Sequence, residues 1–157
     1  MTILIDADGC PVVDLAVKIA GAHDVPCVII CDTSHVFEKT GARTITVSKG
    51  SDSVDFALVN MVRAGDIAIT QDYGLAAMCL ARGAIPISQD GMVYSERNID
   101  ALLLARHTAK KIRMAGGRLK GSAKRTPAQN AAFESALREL LDHARQTGKT
   151  TQTEGER

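Results

Sequence analysis

The chain has 157 residues, of which 45% are hydrophobic and 24% are charged, and its formal net charge at pH 7 is +1. These values are typical of one globular domain and exclude a disordered chain. No apolar run approaches the roughly 20 residues of a membrane-spanning helix, and the four cysteines form no C-x-x-C pair, which excludes zinc ribbons. Because the N-terminus lacks the features of a secretory signal, we expect a cytoplasmic protein with no membrane partner.

The near-zero net charge conceals an uneven distribution along the chain. Residues 1–105 contain 7 Lys or Arg and 13 Asp or Glu, a net charge of −6, whereas residues 106–157 contain 12 and 5, a net charge of +7. An acidic body is therefore joined to a basic end, and such asymmetry indicates a polyanion partner, a cation site among the acids, or both.

Short β-branched runs alternate with helical patterns over the first two thirds of the chain, which is typical of βαβ units. Strands are predicted at 3–5, 27–31, 44–47, 66–70 and 85–87, with helices at about 11–22, 51–63 and 73–82. The expected fold is α/β, a three-layer sandwich with a central, mostly parallel five-stranded sheet.

The pattern after Gly91 is helical only. Asn98 is predicted to cap a helix that carries Ile99 and Ile112 on one stripe, and Thr126-Pro127 to begin a last helix. From Gly148 onward no apolar residue occurs. We therefore predict one domain over 1–147, with a helical part at 98–147, and a disordered tail at 148–157.

Acidic residues follow two of the predicted strands. Asp6 and Asp8 come after the first strand and Asp72 after the fourth, while Asp55 lies on the second helix. If strands one and four are neighbours where the strand order reverses, these carboxylates meet in the crevice where open α/β sheets bind ligands. Crowded carboxylates repel one another unless a cation lies among them, and oxygen ligands suit Mg²⁺ or Mn²⁺.

Each acid also has an ordinary structural explanation. Asp8 could cap the first helix, Asp52 could cap the second, and Asp72 could be a turn residue. Asp66 begins its strand, so we expect it at the opposite end of the sheet. Cys10 is interpreted as a buried thiol rather than a nucleophile, and the four histidines show no ligand spacing.

The basic end contains eight Lys or Arg between Arg106 and Arg125 with no acid among them. We predict that it contacts RNA or another polyanion through phosphates. The alternative is a solvated helix face and linker. The residues predicted to bind nucleic acid are Arg113, Arg118, Lys120, Lys124 and Arg125.

Four stretches of the chain together resemble the YaiI/YqxD family of bacterial proteins: 5–11 (IDADGCP), 65–77 (GDIAITQDYGLAA), 98–100 (NID) and 115–118 (AGGR). The resemblance runs from about residue 2 to 145. That family has been grouped with PIN-like domains, many of which are Mg²⁺- or Mn²⁺-dependent ribonucleases built around an acidic cluster. The resemblance implies a PIN-like fold, with Asp6, Asp55 and Asp72 in the positions of the PIN acids.

The leading hypothesis is therefore a metal-dependent nuclease that acts on RNA. Asp6, Asp55 and Asp72 would hold Mg²⁺ or Mn²⁺, and Asp8 would be a fourth catalytic residue that binds the metal or orients water. Two alternatives stay open. One is a non-catalytic RNA- or ribosome-binding module, and the other is an aspartyl-phosphate phosphatase with Asp6 as its nucleophile.

Overall fold

The computed structural model describes residues 1–50, 52–117 and 123–154, with side chains up to residue 148. Its centre is a five-stranded sheet in which all neighbouring strands are parallel. The strands are β1 (Ile3–Asp6), β2 (Cys27–Asp32), β3 (Arg43–Val47), β4 (Ile67–Ile69) and β5 (Ile85–Ile87). Their spatial order is β3-β2-β1-β4-β5, so the order reverses between β1 and β4. The predicted α/β fold is confirmed.

Helices cover both faces of the sheet. They are α1 (Val13–Ala22), α2 (Ser53–Met61), α3 (Tyr73–Ala81), α4 (Glu96–Met114) and α5 (Pro127–Glu154). Ile3 and Ile5 on β1 face α1 and α5, whereas Leu4 between them faces α2 and α3. Because successive side chains of a strand point to opposite faces, the apolar runs of the central strands are buried on both sides. These runs form the core.

The helix starts differ in detail from the sequence prediction. The residue that caps α4 is Ser95, and Asn98 is its reciprocal partner three residues on, with its side-chain oxygen accepting the Ser95 amide at 2.9 Å. This arrangement is a capping box, which satisfies two free amides at the helix start. Asp8 does not cap α1, whose cap residue is Val12. The prediction that Thr126-Pro127 begins the last helix is confirmed.

The last helix continues beyond the point where the tail was predicted to begin. α5 passes through Gly148 and ends at Glu154, so the described helix includes residues 148–154. One glycine costs a helix only about 1 kcal/mol relative to alanine, and the Thr, Gln and Lys that follow do not break a helix. Residues 155–157 of the predicted tail lie outside the described residues.

Within the described ranges, no helix combines the length and the apolar character that crossing a lipid bilayer requires.

Candidate functional site

The carboxyl ends of β1 and β4 lie side by side, so the acidic residues that follow the two strands can meet. Ile5 of β1 is paired with Ile69 of β4, so the residues that follow each strand emerge at the same edge of the sheet. Asp6 is the last residue of β1, and Thr70-Gln71-Asp72 follow β4. Strands one and four are neighbours at the reversal of the strand order, so the condition for the carboxylates to meet is satisfied.

Asp6 is held in place by the buried Thr70. The Thr70 hydroxyl donates a hydrogen bond of 2.8 Å to Oδ2 of Asp6. Burial raises the pKa of Asp6, and the charges of Asp72 and Asp8 add to the rise, whereas the Thr70 hydrogen bond opposes it. A bound cation would relieve this repulsion.

Asp72 has a structural and an electrostatic role at once. Its Oδ1 accepts the Leu75 amide at 3.0 Å, which makes Asp72 the N-cap of α3, and its own amide donates to the Thr70 hydroxyl at 3.0 Å. The Arg106 guanidinium approaches the same Oδ1 to 3.7 Å. Asp72 is therefore a helix N-cap rather than the turn residue of the structural alternative, and its Oδ2 accepts no hydrogen bond within the described residues.

Asp55 faces the other acids from α2. Desolvation, together with the charges of Asp72, Asp6 and Asp52, raises its pKa to about 6, although the charge of Arg106 lowers it. Asp6, Asp55 and Asp72 thus lie close enough for their charges to act on one another, although they come from three different elements. Asp52, the residue before α2, makes no capping hydrogen bond with its side chain.

Asp8 connects this cluster to the end of β2. Its Oδ2 accepts the Asp32 amide at 3.0 Å, which fixes the carboxylate across the edge of the sheet. Its Oδ1 is shielded from solvent and lies 2.7 Å from Nδ1 of the half-exposed His35. Although the two atoms are this close, they do not form a hydrogen bond, so this buried oxygen has no donor within the described residues.

The acids open onto a cavity of about 330 Å³ at this edge of the sheet. The residues that line it are Asp6, Asp8, Gln71, Asp72, Tyr73 and Arg106. A smaller cavity of about 50 Å³ reaches from Asp6 and Asp8 toward Cys10 and Gln89. The site therefore combines carboxylates with one aromatic ring and one guanidinium.

The family model described as the uncharacterised YaiI/YqxD family matches residues 4–143. The chain belongs to this family. It is 52% identical over 141 residues to a UPF0178 protein of Exiguobacterium sibiricum, covering 90% of this chain and 96% of that relative. It is also 50% identical over 137 residues to a UPF0178 protein of Ruminiclostridium cellulolyticum, covering 87% and 90% of the two chains. No solved structure matches the chain.

Two residues near the end of β2 belong to the candidate site of this YaiI/YqxD family member although the sequence did not predict them there. Asp32 and His35 join Asp8 in a group whose ligand atoms all lie within 4.8 Å of one another. In the part of the chain that the structure describes, this is the tightest set of three potential metal ligands, and Asp6, Asp55 and Asp72 are spread more widely. The signal was present, because Asp32 also ends a strand next to β1.

The basic residues predicted to contact nucleic acid differ in whether they are exposed or bonded to the protein itself. Arg125 is bonded to the protein itself, since its guanidinium donates to Oδ1 of Asp90 and to the Gln89 carbonyl at 2.7 Å each, and to Asn130 at 2.8 Å. These bonds give Arg125 a structural role beside the smaller cavity. Arg113 and Lys124 are exposed. The predicted contacts at positions 118 and 120 lie outside the described residues.

Cys10 and Asp66, for which we expected structural roles, are both partly or fully buried away from solvent. Burial raises the pKa of the Cys10 thiol, which disfavours the nucleophilic thiolate. Asp66 is buried at the opposite end of the sheet, where it accepts the amides of Thr2 and Arg63 at 2.8 and 2.9 Å.

Proposed function

We propose that the protein is a divalent-metal-dependent nuclease that hydrolyses phosphodiester bonds, with RNA as its substrate. The observation that carries the proposal is the meeting of Asp6, Asp8 and Asp72 around one cavity at the reversal of strand order, with Asp55 on α2 close enough to feel the charges of Asp6 and Asp72. This is the position at which open α/β sheets bind ligands.

The donor set fits Mg²⁺ or Mn²⁺, which prefer carboxylate oxygens. Asp6, Asp55 and Asp72 would hold the ion through carboxylate oxygens that have no hydrogen bond among the described residues, and their side chains would have to draw together on binding, since they are spread more widely than the ligand atoms of Asp8, Asp32 and His35. The buried, undonated Oδ1 of Asp8 also fits a nearby cation. When bound, such an ion lowers the pKa of a water ligand and stabilises negative charge on a phosphoryl group.

The protein groups would position this chemistry. Thr70 orients Asp6, and the Leu75 amide orients Asp72, so neither carboxylate loses much side-chain freedom when substrate binds. Asp8 is held by the Asp32 amide through one oxygen. Its other oxygen is shielded from solvent beside His35, so Asp8 is proposed to position the neighbouring acids rather than to take a proton directly from bulk water.

The test is cleavage of a mixed set of RNAs by purified protein with Mn²⁺. We expect cleavage that EDTA abolishes and that Asp6→Asn and Asp72→Asn each reduce by at least about 100-fold, because each removes a charged ligand. Asp14→Asn is the control, since Asp14 is exposed on α1 and pairs with Lys39. Intact RNA in all reactions, or equal cleavage by wild type and both site variants, would refute the nuclease proposal.

A second candidate is a module that binds RNA without cleaving it. The exposed basic residues of the second half of α4, Lys110, Lys111 and Arg113, favour it. Binding that weakens steeply with salt and is indifferent to Mn²⁺, without cleavage, would support this alternative. The phosphatase alternative has less support, since Asp66 is far from Asp6 and committed to backbone amides.

A further inference from the structure

We infer that Arg106 and Tyr73 form the substrate-holding wall of the acidic cavity, with Arg106 contacting a phosphate and Tyr73 stacking on an unpaired base. The inference rests on the proposed function and names the residues that would select single-stranded over duplex RNA. Both residues line the cavity together with Asp6, Asp8 and Asp72.

Arg106 is placed to bind an anion rather than to satisfy Asp72. Its guanidinium lies 3.7 Å from Oδ1 of Asp72, too far for a good hydrogen bond, and that oxygen already accepts the Leu75 amide. The Arg106 side chain is 61% exposed. An exposed ion pair of this kind adds little to stability, so the planar donor fork stays available to phosphate oxygens.

Arg106 also supplies a positive charge where an RNA backbone most needs one. It is the cation among the residues that line the cavity, and its charge lowers the pKa of Asp55 across the cluster. Four carboxylates would otherwise repel an approaching phosphate. A guanidinium at the rim offsets this repulsion and can donate two parallel hydrogen bonds to a phosphate.

Tyr73 is a held aromatic ring rather than a mobile one. It packs edge-on against Tyr94, with ring centroids 6.0 Å apart and an interplanar angle of 63°. Tyr94 is itself buried, and its hydroxyl donates to the Thr70 carbonyl at 3.2 Å. The ring of Tyr73 is thus anchored beside Asp72, the residue that precedes it.

An anchored ring next to a guanidinium matches one phosphate and one unstacked base. Proteins bind single strands by combining a positive groove with aromatic rings on which bases stack. Bases in a duplex are already stacked and paired, so the ring would gain nothing from them. We therefore expect the protein to prefer RNA with unpaired nucleotides next to the cleaved bond.

The experiment measures binding of a short unstructured RNA and of a blunt-ended RNA duplex of matched length to the full-length protein in EDTA, which removes the metal that the proposed cleavage needs. The variants are Arg106→Gln, Tyr73→Leu and Tyr73→Phe. The control is Arg97→Gln, because Arg97 is exposed on α4 nine residues earlier, about two and a half turns away and on the opposite face. Thermal melting checks that each variant is folded.

We expect Arg106→Gln to weaken binding of both RNAs about tenfold, through loss of a phosphate contact, and Arg97→Gln to change it less than about twofold. Tyr73→Leu should weaken binding of the unstructured RNA about tenfold and leave binding of the duplex unchanged, while Tyr73→Phe retains binding. Arg106→Gln that behaves like Arg97→Gln, or a Tyr73→Leu effect of equal size on both RNAs, would overturn the inference.

Cleavage of the unstructured RNA with Mn²⁺ separates the two proposals. If the wild-type protein binds RNA and the variants change binding as expected, but no RNA is cleaved, the nuclease proposal fails and the roles inferred for Arg106 and Tyr73 are supported. If wild type cleaves and the Arg106 and Tyr73 variants bind and cleave like wild type, the wall fails and the nuclease proposal stands. Wild type that neither binds nor cleaves either RNA overturns both.

Discussion

Asp55 shows how one side chain at this site depends on its neighbours. Its pKa is raised from 3.8 to about 6 by desolvation and by the charges of Asp72, Asp6 and Asp52. A carboxyl group with a raised pKa stabilises the fold fully below its ordinary pKa, and this contribution is lost as the pH rises through the raised value. Without metal, the Asp55 contribution therefore declines between about pH 4 and about pH 6.

We predict that Asp55→Asn stabilises the metal-free protein at neutral pH. The shift corresponds to about 3 kcal/mol at full strength, which solvent screening of this half-exposed group reduces to about 1 kcal/mol. Urea unfolding in EDTA should show this gain at about pH 7.5 and a much smaller one at about pH 4.5. Asp14→Asn is the surface control. A gain of the same size at both pH values would contradict the assignment.

Substitutions of Asp72 separate its capping role from its charge. Asp72→Asn keeps an oxygen that can accept the Leu75 amide, whereas Asp72→Ala removes it. We expect Asp72→Ala to lower the free energy of unfolding by about 1 kcal/mol and Asp72→Asn to lower it by less than half as much. Both should lose Mn²⁺-dependent cleavage alike. Equal stability of the two variants in urea unfolding would contradict the capping role.

At the scale of elements, the segment between β5 and α4 is packed against the start of α5. Gly91 has a φ of +86°, and a Cβ at this position would lie 2.5 Å from the Ala132 carbonyl oxygen of α5. Arg125, just before α5, binds Gln89 and Asp90 of the same segment. Because Gln89 lines the smaller cavity, this docking connects the C-terminal helix to the site.

We predict that Gly91→Ala destabilises the protein by about 2 to 4 kcal/mol, since it combines an unfavourable left-handed backbone with a backbone clash. Gly41→Ala is the matched control. Gly41 also has a positive φ, of +90°, but nothing lies within 4 Å of its added Cβ. It should cost only about 1 kcal/mol. Similar chemical denaturation midpoints for the two variants would show that the helix α5 can move away from this segment.

The sequence predicted the elements whose signals are local and missed those that depend on packing. Alternating β-branched runs located all five strands, and acids after β1 and β4 located the edge where the site lies. His35 follows β2 in a segment without periodicity, so nothing in the sequence placed it 2.7 Å from Asp8. Arg106 reaches the cavity only because α4 packs on α3, a contact that residue spacing does not reveal.

At the scale of the whole molecule, the opposite charges of the two parts of the chain meet at one edge. Arg106, the first residue of the basic end, lines the same cavity as Asp6, Asp8 and Asp72 of the acidic body. The acids attract cations and repel phosphates, while the basic residues of α4 attract phosphates. A divalent cation bound to the acids would remove their repulsion of phosphates and leave the attraction by the basic residues unchanged. Metal and RNA should therefore bind cooperatively.

We therefore predict that Mn²⁺ raises the affinity of the protein for RNA, measured with Asp8→Asn to slow cleavage while Asp6, Asp55 and Asp72 stay intact. Without metal, binding should weaken with salt with a logarithmic slope of about −2, as expected for about three phosphate contacts to a single strand. Arg113→Gln, on the exposed face of α4, should reduce the slope by about 0.7 without altering the response to Mn²⁺. Affinity that is indifferent to Mn²⁺, or that Mn²⁺ lowers, would mean that the acids and the basic helix do not act on the same RNA.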